Sequence, residues 1–222
     1  MTGGDKDAYQ QQLLHYGKTA LYLGLSSLLA FGVYRMFSRY QTSADISERA
    51  IKAQERFHGY VIDVSDGDTL RVYHTPFWRW FGAVPEKKRG LTKYTISVRL
   101  SAVDAPEVAH FGKPAQPLSA EAKEHLARQV LGKRVSVKPL ARDQYGRLVA
   151  SVTYRRVLGP RRDAAHEMLR AGLATIYRGG NAQYDGQLPR LEALEAAAKR
   201  AKKGIWGLKG FESPADYKRR NK

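Results

Sequence analysis

The sequence predicts a mainly β, α+β protein: a small five-stranded barrel with about three packed helices, preceded by one N-terminal transmembrane helix. Three observations carry this expectation. An uncharged apolar run stands near the front. β-rich runs then dominate from residue 57, and three capped helical patterns follow among and after them.

The elements justify themselves in order. Between Lys18 and Arg35 sixteen residues (TALYLGLSSLLAFGVY) carry no charge. With Met36 and Phe37 the run approaches the roughly 20 residues a bilayer span needs. Tyr16, Tyr22, Tyr34 and Tyr40 sit where interfacial aromatics belong. Asp5 and Asp7 among the leading residues, with no small-residue cleavage site, argue against a signal peptide. An uncleaved single-pass anchor over 19–37 is therefore expected, after a flank 1–18 and before a linker 38–56. Arg35, Arg39, Arg49, Lys52 and Arg56 on its C-terminal side favour an inward-facing main domain.

HGYVIDV (58–64) and TLRVYHT (69–75) read as strands joined by the turn SDGD, and YTISVRLSAV (94–103) as a third. The aromatic and basic segment 76–93 between the second and third is long enough to be an insertion. A helix is expected from a Ser119 cap to Gly132, with Ala122, Leu126 and Val130 inward. RVSVKPL (134–140) and LVASVTYRR (148–156) complete the strands. A second helix runs from an Asp163 cap to Gly172, and a third from Pro189 to Gly204 with Leu191, Leu194, Ala198 and Ala201 as its stripe. ATIYR (174–178) is a short extended piece, and FESPADYKRRNK a loose charged tail. Three strands, helix, two strands, helix, helix is the order of an OB-type barrel spanning 57–208, followed by the tail 209–222.

Composition narrows the function. Lys plus Arg number 38 against 21 Asp plus Glu, a net charge of +17, so the surface suits a polyanion, nucleic acid or anionic lipid. With no cysteine, disulfides, thiolate metal sites and a cysteine nucleophile are excluded. The six histidines are scattered and form no zinc-protease helix.

Chemistry-bearing residues gather in three short stretches. DGDT (66–69) carries Asp68 at a hairpin turn. RLSAVDAPE (99–107) sets Arg99, Asp104 and Glu107 around a strand end. DQYGR (143–147) sets Tyr145 and Arg147 on the turn into the fifth strand. Each alone reads as ordinary turn chemistry; the signal is their order on a barrel.

In that order, followed by GLA (172–174) and a helix ending GIW (204–206), the stretches resemble the staphylococcal nuclease (thermonuclease-like) family from about His58 to Leu208. With its anchor the chain resembles the fungal mitochondrial-membrane probable endonucleases of that family. The resemblance implies hydrolysis of DNA or RNA phosphodiesters with one Ca²⁺. Asp68 and Asp104 match the metal carboxylates, and Glu107 the residue that activates or orients water. Arg99 and Arg147 match the phosphate-binding arginines. Tyr145 matches a phosphate contact and Tyr177 a base-stacking tyrosine. Ala105 and Gln144 depart from the commoner Thr and Lys. A monomer on a mitochondrial membrane is expected. The competing readings are a tethered nucleic-acid-binding module without catalysis and a lipid-binding scaffold. The presence of both arginines, both aspartates and Glu107 favours catalysis. Phe77, Trp78, Trp80, Phe81, Lys87, Lys88 and Arg89 in the insertion suit lipid, bases or the barrel surface equally.

Overall fold

The computed structural model of the chain describes residues 3–76, 90–109, 112–155 and 159–220. Most of the aromatic and basic insertion, 77–89, lies outside them. The chain divides into two units, one built on the N-terminal helix and the other comprising the residues from Arg39 onward apart from 76–78.

The first unit is helix α1 (Gly3–Phe37). Leu21, Leu25, Leu28, Leu29 and Phe31 are 54–70 % exposed on it. Thr19 Oγ1 donates to His15 O (2.9 Å) and Ser26 Oγ to Leu23 O (3.0 Å), so these hydroxyls are satisfied within the helix. Among the described residues no helix is long and apolar enough to cross a membrane. This corrects the transmembrane span expected over 19–37. The uncharged run stops at sixteen residues and is diluted by Thr19, Tyr22, Gly24, Ser26, Ser27 and Gly32.

The second unit is the barrel. Its strands are β1 (Phe57–Val64), β2 (Thr69–His74), β3 (Ile96–Leu100), β5 (Arg134–Arg142) and β6 (Leu148–Arg155). They run β3-β2-β1-β5-β6, and parallel pairing of β3 with β6 closes the ring. The five strands anticipated are thus present and close on themselves, leaving no free edge among them. β-branched and leucine side chains alternate inward: Val61, Leu70, Val72, Ile96, Val98, Val137, Leu148 and Val152 are at most 1 % exposed.

Two short strands extend the pattern beyond the expectation. β7 (Arg161–Asp163) adds to β6, and β4 (Val103–Asp104) pairs with β8 (Thr175–Ile176). The run 94–103 is therefore broken. Ala102 adopts φ 66°, the left-handed region that an alanine enters at a cost of about 1 kcal/mol, and turns the chain from β3 into β4.

Helix α3 (Ser119–Val130) buries Ala122, Leu126 and Val130 as the spacing of four requires, but its N-cap is Leu118 at φ 64°, and Ser119 is a buried first-turn residue. Helix α4 (Ala164–Ala171) is capped as expected, Asp163 accepting from His166 N. On α5 (Leu188–Arg200) Leu191, Glu195 and Ala198 are buried and Leu194 packs half-buried against the core; Ala201 is exposed. Glu195 displaces apolar residues there because its carboxylate accepts from Ile176 N (2.8 Å), Lys199 Nζ (2.9 Å) and Arg178 Nη2 (3.2 Å), holding β8 in place.

Both ends of the unit are more ordered than a linker and a loose tail. Helix α2 (Glu48–Lys52) buries Ala50 and Ile51, and Arg142 donates to Ser43 O (2.6 Å) and Ile46 O (2.7 Å). The tail folds as α6 (Pro214–Arg220), burying Pro214 and Tyr217.

His74, 7 % exposed at the end of β2, accepts from Tyr40 N at 2.9 Å. Burial, reinforced by Arg39 and His58, lowers its pKa to about 4. The unfolded chain therefore binds this proton more readily than the folded one. Its stabilising contribution is complete above pH 6.5 and disappears as pH falls towards 4, a change of about 3 kcal/mol at most. Urea denaturation between pH 7 and pH 4 should show the decline, with a shallower slope in His74→Asn.

Candidate active site

The topology brings the three motif stretches to one end of the barrel. Thr69 pairs with Arg99 across β2 and β3, so the turn bearing Asp68 lies against the end of β3. Asp104 pairs with Thr175, so Tyr177 follows β8 beside the β3–β4 corner, its N–H donating to Ala102 O (2.9 Å). Val149 pairs with Arg99 along the closing seam, which puts Arg147 just before the start of β6 at the same end.

The SDGD turn is tight. Ser65 N and Asp66 N both donate to Thr69 O, at 2.9 and 3.2 Å, and Leu100 N donates to Asp68 O at 2.8 Å. Gly67 has no room for a side chain: a Cβ would stand 2.7 Å from Ala105 Cβ and 2.9 Å from Ala122 Cβ. The glycine thus lets the turn press onto the Asp104 loop and α3 together.

At the centre Arg99 Nη2 reaches Asp104 Oδ1 at 2.6 Å and Asp68 Oδ2 at 3.3 Å. Asp68 and Asp104 are 4 % and 2 % exposed, and Thr69 Oγ1 donates to Asp68 Oδ1 at 2.7 Å. Glu107 stands beside them, its backbone fastened to Gln116 in both directions: Glu107 N donates to Gln116 Oε1 (3.0 Å) and Gln116 N to Glu107 O (2.8 Å).

Arg147 is positioned by Asp143. One Asp143 oxygen accepts from Tyr145 N and Arg147 N, both at 2.9 Å, and the other from Arg147 Nε at 2.6 Å. Gly146, at φ +76°, makes the turn. Arg147 Nη1 then lies 3.4 Å from Thr69 Oγ1, next to Asp68. Each arginine also stands near a tyrosine ring, Arg99 at 5.1 Å from Tyr177 and Arg147 at 5.5 Å from Tyr145, which is 75 % exposed. Asp68, Arg99, Asp104, Glu107, Tyr145, Arg147 and Tyr177 are all at this end; the aromatic and basic residues singled out between 77 and 89 lie outside the described residues. Arg99, Asp68 and Asp104 are in direct contact, and Glu107 joins them through Lys218; Arg147 and the tyrosines surround them.

Two residues were missed. Lys218 on α6 places Nζ 2.7 Å from both Asp104 Oδ1 and Glu107 Oε1. No local signal marks it within the basic tail. Asp66, inside the quoted DGDT, is pushed up to about 7, first by burial and then by the Asp68 charge. For Arg99 and Lys218 burial works against the charge, but the neighbouring carboxylates outweigh it and hold both more firmly protonated than usual.

The donor set fits a hard cation. Asp104 Oδ2 is buried without a hydrogen-bond partner. An orphaned carboxylate oxygen is costly unless a cation takes it up. Among the described residues no three His, Cys, Asp or Glu side chains converge on one metal position. Asp68 and Asp104 would therefore share the ion with main-chain oxygens and water, a shell that Ca²⁺ accepts. A separate cavity of about 570 Å³, lined by Arg56, Arg161, Arg162, Arg170 and Arg190 among others, includes none of these residues.

A closed five-stranded barrel with two arginines and paired aspartates at one end defines a class, and comparison with known proteins agrees. Residues 97–207 match the family model described as staphylococcal nuclease homologue. The chain is 42 % identical over 208 residues to a probable endonuclease LCL3 of Komagataella phaffii, covering 89 % of this chain and 90 % of that one. It is 39 % identical over 217 residues to the Schizosaccharomyces japonicus protein of that name, covering 90 % and 93 %, and 38 % identical over 218 residues to that of Candida albicans, covering 93 % and 92 %. The chain belongs to the staphylococcal nuclease family.

Gly67→Ala should lower stability by about 1–3 kcal/mol, the usual cost of overpacking, because Ala105 and Ala122 must both yield. Chemical denaturation of parent and variant measures it.

Proposed function

We propose that the chain is a Ca²⁺-dependent endonuclease that hydrolyses phosphodiester bonds of DNA or RNA and is held at a membrane by α1. The observation that carries the reading is the contact of Arg99 with both Asp68 and Asp104 at the barrel end, beside Glu107 and Arg147. Family membership, the relatives' name and the +17 charge support it.

Bound at Asp68 and Asp104, the ion would supply Lewis-acid polarisation of a phosphoryl oxygen and of water. The chain's own groups do the rest. Both carboxylate contacts of Arg99 run through Nη2, and a guanidinium carries five N–H donors. Its remaining edge and that of Arg147 form planar forks for phosphate oxygens. As an in-line water attacks phosphorus, negative charge grows on those oxygens. Donors fixed in advance by Asp143, Asp68 and Asp104 then stabilise the transition state more than the ground state. Glu107 orients the water or accepts its proton, which requires the ionised carboxylate. Tyr145, exposed beside Arg147, offers its hydroxyl to a phosphate oxygen, and Tyr177 a face on which a base stacks.

The apolar side chains of α1 are exposed, a surface of the kind that marks membrane-interaction sites without requiring a span. Placement on a mitochondrial membrane rests on the resemblance drawn from the sequence.

Purified protein should degrade single-stranded DNA with Ca²⁺ and stop on addition of EGTA; no Ca²⁺-dependent cleavage would refute the reading. Arg99→Lys and Arg147→Lys should each lower kcat by about 10²–10³, the cost of removing one preorganised donor. The full chain should float with anionic vesicles, and a chain lacking residues 1–38 should do so far less.

A further inference from the structure

α6 brings a cation into the acidic cluster from the far end of the barrel unit, and its attachment is specific. Tyr217, 6 % exposed, donates its hydroxyl to Pro114 O. Gln116 Nε2 donates to Glu212 O at 3.2 Å, while the same side chain accepts from Glu107 N at 3.0 Å. One glutamine therefore grips both the Glu107 loop and the approach to α6. The helix is seven residues long, too short to persist away from its docking surface.

The geometry sets up a competition. Lys218 Nζ lies 2.7 Å from Asp104 Oδ1 and from Glu107 Oε1. An ammonium is a compact, strongly hydrated point charge. A Ca²⁺ ion takes carboxylate oxygens at about 2.3–2.6 Å. Asp104 Oδ1 already holds Arg99 Nη2 at 2.6 Å as well as Lys218 Nζ, so a divalent ion there would be a third cation on one carboxylate, in a buried site where the added repulsion is poorly screened.

We infer that Lys218 is a tethered competitor of the metal: its ammonium and a divalent cation exclude one another at Asp104 and Glu107, so metal binding undocks α6 from the active site. The inference rests on the metal-assisted reading above. It adds a regulatory residue, carried by the C-terminal helix, that sets the concentration at which the ion enters. Undocking also moves Tyr217 away from the Pro114 loop and opens the approach to Glu107.

Calorimetric titration of the full chain with Ca²⁺ tests the competition. Lys218→Met keeps the stem and removes the charge, and should bind Ca²⁺ at least about fivefold more tightly. Arg219→Met removes a neighbouring charge that pairs with Asp216 instead, and should change affinity less than about twofold. A second measurement needs no variant: Ca²⁺ should accelerate tryptic cleavage after Lys218, Arg219 and Arg220 in the parent protein. Equal affinity in parent and Lys218→Met, weaker binding by Lys218→Met, or equal tightening by both variants overturns the competition while leaving the metal reading in place. Cleavage unchanged by saturating Ca²⁺ overturns the undocking. Absence of Ca²⁺ binding in the parent and both variants sinks the metal reading and the competition together.

Discussion

Closure of the barrel through the parallel β3–β6 seam is the constraint on which the rest depends. It fixes Arg99 against Val149 and so brings the turn before β6 to the end of β3. Without that seam, Arg147 and Asp143 would belong to a remote hairpin, and the two arginines would share no substrate. The antiparallel β2–β3 pairing then sets Asp68 beside the same strand end. Three loops distant in sequence become neighbours because strand register leaves them no alternative.

The site that results carries an electrostatic load. Asp66, Asp68, Asp104 and Glu107 crowd into a small volume, and two of them are almost fully buried. Arg99 and Lys218 offset that load. Removing Arg99, the buried one of the two, typically costs about 3–5 kcal/mol, because the carboxylates are left in a poor solvent. Arg99 therefore holds the carboxylates together and, in the function proposed, has a second duty, reach towards phosphate. Lys218 shares the first without obstructing the second, since it approaches from α6. The neighbouring SDGD turn contributes a steric condition instead: Gly67 must remain bare for Asp68 to sit this close to the Asp104 loop.

The sequence made the site legible where chemistry is local. DGDT, RLSAVDAPE and DQYGR each contain their own turn signals, and their order on a barrel pointed to one active end. The five barrel strands followed from β-branched alternation, and the Asp163 cap from its position. What stayed hidden was set by tertiary context. Ala102 in a left-handed corner breaks a run that reads as one strand, and no propensity for alanine announces that. Leu118 displaces Ser119 at the start of α3 because the serine is buried in the first turn. Glu195 occupies a core position on α5 because a backbone N–H of β8 and two cations await its carboxylate. Lys218 lies 114 residues from Asp104 in a tail rich in interchangeable charges, so only the fold distinguishes it. The run 19–37 falls short of a full span because serines, glycines and tyrosines interrupt its apolar residues.

Arg142 has a mechanical meaning. Its guanidinium clasps the carbonyls of Ser43 and Ile46 from the end of β5, and Ile46, Ala50 and Ile51 are buried. A pull on the chain ahead of Arg39 therefore loads the bonds from Arg39 to Tyr94 O and from Tyr40 N to His74 first, and this clasp and the α2 packing after them. Strand β1 lies between β2 and β5 and supports both. The segment 39–56 is thus fastened to the barrel at several separate points, so tension on the N-terminal helix is divided among β2, the turn before β3 and the end of β5 instead of falling on one strand.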